Sequence, residues 1–95
     1  MSMNRRGFAA AVFELALEIN GGAVRRNGKG HPTVFYNYMG HINLIYVDVH
    51  PTGWVPDDEP ERFCFSLDDD DDKLLQEYHR LSMYAVKLWR EAQHD

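Results

Sequence analysis

The stretch Ile42–His50 constrains this chain more than any other. It reads Ile-Asn-Leu-Ile-Tyr-Val-Asp-Val-His, rich in the β-branched and aromatic residues that suit a pleated strand. Alternation puts Ile42, Leu44, Tyr46, Asp48 and His50 on one face and Asn43, Ile45, Val47 and Val49 on the other. Its middle is apolar on both faces. Such a strand is expected at the centre of a sheet, with a neighbour on each side and a layer of helices over one face.

The neighbours follow from the same alternation. Thr33–Tyr38 places Val34, Tyr36 and Tyr38 on one side, and Arg62–Leu67 does the same with Phe63, Phe65 and Leu67. Ala23–Arg26 offers a short fourth strand, followed by the turn-forming Asn27-Gly28-Lys29-Gly30. Pro51, Gly53, Pro56 and Pro60 make the segment from Pro51 to Glu61 a loop.

Two segments have helical spacing instead. Phe8, Val12, Leu15, Ala16 and Ile19 fall on one face of a helix over Phe8–Asn20, which Asn20-Gly21-Gly22 stops. Phe13 and Leu17 add a second apolar strip, so only Glu14 and Glu18 mark a wet edge; such a helix is either packed deep or shared with a partner. Leu74, Tyr78, Leu81, Ala85, Leu88 and Ala92 form the stripe of a second helix, starting between Asp68 and Lys73 and widened by Leu75 and Trp89. The expected fold is α+β: an N-terminal helix, a three- to four-stranded antiparallel sheet and a C-terminal helix, both helices on one sheet face.

Ninety-five residues, 44% of them hydrophobic, suit a single domain over 1–95, with 1–6 expected to be a flexible N-terminus. A core this small gains from extra burial, which makes a homodimer one expectation. A single cysteine, Cys64, forms no internal disulfide and points to a reducing, cytoplasmic setting. It is expected to be a small buried residue of its strand. Asn4-Arg5-Arg6-Gly7-Phe8 loosely matches a twin-arginine signal, but Glu14 ends the apolar run after six residues. That run is too short for a signal or a membrane span, so no membrane association is expected.

In outline this order of elements resembles the double-stranded-RNA-binding domain. Such domains begin their last helix with lysines, whereas this chain has Asp69-Asp70-Asp71-Asp72-Lys73 there, the opposite charge. The likeness is confined to element order and implies no RNA binding.

The charge of the chain is concentrated. Fifteen acids against ten bases give a net charge of −5, and the run Asp68, Asp69, Asp70, Asp71 and Asp72 equals that whole imbalance. Acids at a helix N-terminus are favoured by the helix dipole, and one of them, or Ser66, can cap the first turn. Five adjacent aspartates repel each other and exceed that need. Asp57, Asp58, Glu59 and Glu61 form a second cluster across the strand Arg62–Leu67, about 20 Å away at the usual strand rise. Together the two clusters suggest an acidic border that steers a basic partner. Asp68, Asp70 and Asp72 have the opening spacing of a calcium loop, but Lys73 and His79 stand where that loop needs glycine and glutamate.

Two other constellations compete. Arg25, Arg26 and Lys29, near Tyr36 and Tyr38, would suit single-stranded nucleic acid, although a pI of about 5.4 opposes strong binding. His41, Asp48 and His50 would suit a small metal or enzyme site, without the spacing of any known metal motif. Trp54, in a Pro-Thr-Gly-Trp-Val-Pro loop, is expected to be partly buried. No motif for catalysis, nucleotide or cofactor is found. The expectation is a small, acidic, non-enzymatic interaction protein that regulates or inhibits a macromolecule with a basic surface. That is the type of regulatory, inhibitory or immunity proteins, including accessory proteins of phages and mobile elements.

Overall fold

The computed structural model describes residues 3–21 and 30–93. Helix α1 spans Arg5–Asn20, strands β1, β2 and β3 span Thr33–Met39, Leu44–His50 and Glu61–Ser66, and helix α2 spans Asp71–Gln93. The three strands form one antiparallel sheet in the order β1-β2-β3, so the two-faced strand is central as its composition demands. The proposed strand Ala23–Arg26 and the Asn27-Gly28 turn lie outside the described residues.

Register decides which side chains meet the helices. Val34 pairs with Val49, Tyr36 with Val47, Ile45 with Phe65 and Val47 with Phe63. These residues share one sheet face and pack with Phe8, Val12 and Ala16 of α1 and Leu74 and Leu81 of α2. Ile45, Val47, Val49 and Leu81 have no exposed surface. Burying a side chain of this size contributes about 1.5–3 kcal/mol. Phe8 ties α1 to β3 and α2, edge-on to Phe65 and tilted against Tyr78.

The other face of the sheet bears Phe35, Asn37, Tyr46, Asp48, Arg62 and Cys64. Asp48 and Arg62 sit directly opposite each other on β2 and β3, and Arg62 donates from Nε and Nη2 to the two carboxylate oxygens at 2.7 and 2.9 Å. Arg62 also lies over the Tyr46 ring, 4.6 Å from its centroid. This bidentate pair is what lets Asp48 be almost fully buried. Cys64 corrects its expectation: it is exposed. Phe63 and Phe65 take the covered face, so the residue between them must point the other way.

Both helices are capped by their own sequence. Asn4 accepts from the Gly7 N–H at the start of α1, and Gly21, at φ 78°, ends it with its N–H on the Leu17 carbonyl. The helix begins three residues before Phe8, the first apolar position. At the start of α2, Asp70 accepts from the Lys73 N–H at 2.9 Å. Phe13 and Leu17 remain about half exposed, so the second apolar strip of α1 faces outward instead of into the core.

Side chains also take up some backbone groups at the sheet edges. On β3, the Cys64 N–H donates to Glu77 of α2, and Arg80 donates to the Arg62 carbonyl while holding Glu77 and Glu61. On β1, the Val34 N–H donates to Asn20. Edge groups occupied in this way are poor templates for another strand.

Candidate interaction surfaces

The aspartate run is divided in its work. Asp70 caps α2. Asp71 pairs with Arg5 and also accepts from the Met3 N–H. Asp68 accepts from Asn43, a residue held at φ 53° in the turn before β2. Arg5 is the hub: besides Asp71 it donates to the carbonyls of Met3, Leu67 and Asp69. The Arg5 guanidinium, more than any other group, holds the Asp71 carboxyl below its ordinary range.

The second cluster is divided in the same way. Asp58 meets His50 Nδ1, and Glu61 pairs with Arg80. Asp57, at φ 68°, and Glu59 point to solvent without a partner among the described residues. Nine acids thus flank β3, and setting aside Glu61 and Asp71, paired with Arg80 and Arg5, and Asp58, in contact with His50, leaves six without a basic side chain as partner among the described residues. These are Asp57, Glu59, Asp68, Asp69, Asp70 and Asp72. The clusters stand at opposite ends of β3.

The competing constellations fare differently. Arg25, Arg26 and Lys29 lie outside the described residues. Tyr36 lies under α1, edge-on to Phe13, with its hydroxyl donating to the Ala9 carbonyl. Burial there raises its pKa, and its ring is no open stacking platform. Tyr38 is about half exposed and donates to Asn43. His41 is exposed in the turn before β2, while His50 ends that strand, about 20 Å away by strand rise. Asp48 is held by Arg62 and His50 by Asp58, so the trio is not gathered. Among the described residues no three His, Cys, Asp or Glu are grouped to hold a metal. The Cys64 thiol is pushed up, chiefly by desolvation, which lowers its thiolate fraction and its reactivity. Trp54 is half-buried, edge-on to Phe35, which in turn meets His50.

No family model, curated protein or solved structure matches this chain. Among the described residues no helix is long and apolar enough to cross a membrane.

A third surface was not foreseen in the sequence. The helices α1 and α2 run side by side over the sheet with a furrow between them. Its wider part, about 590 Å³, has Leu15 and Ile19 on one wall and Ala85, Val86, Leu88 and Trp89 on the other. A second depression of about 430 Å³ shares Leu15, Glu18 and Tyr78 with it and continues along the small residues Gly7, Ala10 and Ala11. Trp89 is 64% exposed, and Leu75 and Val86 are also exposed on the same flank of α2. The signal available in the sequence was Leu75 and Trp89 widening the α2 stripe beyond what a sheet of this size can cover.

Proposed function

We propose that the protein acts by binding a basic partner protein and works without chemistry of its own, regulating or inhibiting the partner by occupying its surface. One observation carries this reading: six of the nine acids flanking β3 keep charge uncompensated by any described cation while their neighbours satisfy the fold. Capping and ion pairing account for Asp70 and Asp71, yet leave the side chains of Asp57, Glu59 and Asp72 with no hydrogen bond or ion pair among the described residues. Acids in that position raise the on-rate of basic partners and discriminate against acidic ones.

The test uses those three positions. The variant Asp57→Asn/Glu59→Gln/Asp72→Asn is expected to fold as the wild type does by circular dichroism and urea titration. It should bind polylysine at least about fivefold more weakly at low salt, with a shallower salt dependence. Equal binding by variant and wild type would remove the border from the proposal.

A further inference from the structure

We propose that the furrow between α1 and α2 is a docking site for an amphipathic helix of the partner, with its apolar stripe on Leu15, Tyr78 and Trp89 and its basic edge against Glu14 and Glu18. This rests on the reading that the protein works by binding a basic protein, and it assigns the element that enters.

Shape is the first support. The two depressions are continuous through Leu15, Glu18 and Tyr78. From Gly7 to Ile19 the α1 wall runs about 18 Å, the length of three helical turns. Gly7, Ala10 and Ala11 keep that wall low, so another backbone can approach closely. On the β3 edge the Cys64 N–H and the Arg62 carbonyl are taken by Glu77 and Arg80 of α2, which disfavours an incoming strand there.

Chemistry is the second support. Trp89 stands exposed on the rim, and tryptophan is enriched among the residues that dominate binding energy. Charge selects the occupant. Glu14 and Glu18 lie one turn apart on the α1 side, exposed and with no cation within ion-pair distance among the described residues. The α2 side offers Ser82, Val86 and Trp89 and no acid. A helix with lysine or arginine four residues apart along one edge of an apolar stripe matches this asymmetry. A second copy matches it poorly: it carries the same net charge of −5, and on its α2 Arg80 and Lys87 are paired with Glu61, Glu77 and Glu91, while Lys73 and Arg90, without an ion pair among the described residues, lie 17 residues apart instead of one turn.

The experiment is fluorescence anisotropy of a labelled synthetic helix of about 16 residues. It carries a leucine stripe and two edge lysines four apart, and is compared with a twin in which glutamates replace those lysines. The lysine peptide should bind the full chain about tenfold more tightly than its twin. Glu14→Gln/Glu18→Gln should erase that preference, and Trp89→Ala should weaken the lysine peptide about tenfold or more. Asp57→Asn/Glu59→Gln/Asp72→Asn should leave peptide binding within about twofold while weakening polylysine. Equal binding of the two peptides, or no binding of either, overturns the furrow proposal, and the polylysine result reports separately on the acidic border. Loss of peptide binding in the border variant but not in the furrow variants overturns the furrow alone. Sedimentation of the wild type as a dimer that Trp89→Ala dissociates would give the furrow to a second copy and overturn the proposal.

Discussion

The two ends of α2 are built on opposite plans. The first turn is fastened by polar contacts: Asp70 caps it, Asp71 holds Arg5, and Leu74 is buried beneath. The last turns are loosely covered, with the apolar Val86 and Trp89 exposed on one flank beside the charged Lys87, Arg90 and Glu91. A helix of 23 residues runs about 34 Å, while a seven-residue strand spans about 23 Å, so the sheet cannot cover the helix along its whole length. The lesson is that conspicuous charge at one end is only partly used by the fold, through Asp70, Asp71 and Asp68, whereas ordinary-looking apolar residues at the other end stay exposed.

Substitutions along α2 can break or sharpen that contrast. The largest effect is expected at Leu81, fully buried at the middle: Leu81→Ala should cost about 2–5 kcal/mol in urea unfolding. Arg5→Ala should cost about 1–2 kcal/mol, because it abandons several hydrogen bonds at once. Asp70→Ala should cost about 1 kcal/mol, and Asp70→Asn almost nothing, since asparagine caps equally well. If both Asp70 variants lose the same stability, the charge and not the cap matters there.

Acid probes the fastened end from another side. The folded pKa of Asp71 is lowered, first by the hydrogen bond from Arg5. Its contribution is therefore complete above the ordinary carboxyl value of about 3.9 and is lost as pH falls through the lowered folded value. Glu77 follows the same sign through Arg80. Arg5→Ala should make the fall in stability below about pH 4 shallower than in the wild type. The smallest effect closes the series: Trp89→Ala should change stability by less than about 0.5 kcal/mol in the same urea assay. A loss of several kcal/mol would mean that the fold depends on the distal end no less than on the proximal one.

Much of the fold was legible because alternation is a local signal. Ile45, Val47 and Val49 on one face, with Leu44 and Tyr46 on the other, placed β2 at the centre. Phe63 and Phe65 equally dictated the exposure of Cys64, where the general tendency of cysteine to be buried pointed the wrong way. Other features were invisible because they are tertiary. Nothing near Asp71 in sequence announces Arg5, and nothing near Glu77 announces the Cys64 amide. The furrow depends on how far apart two helices sit on the sheet, a distance that periodicity does not encode. The acid clusters were legible as clusters, but their division into paired and uncompensated members required the contacts.

The Arg5 clamp has a consequence for how the chain comes to be folded. It joins groups 62 to 66 residues apart. So wide a loop must close before the contact returns any free energy. During synthesis at about 5–20 residues per second, α1 waits several seconds for Leu67 and Asp71 to emerge. In that interval Phe8 and Val12 have at most the β1–β2 hairpin to cover, without β3 and α2. The nascent chain is most exposed to aggregation and chaperone capture at that stage, and translation speed through the β strands sets how long it lasts.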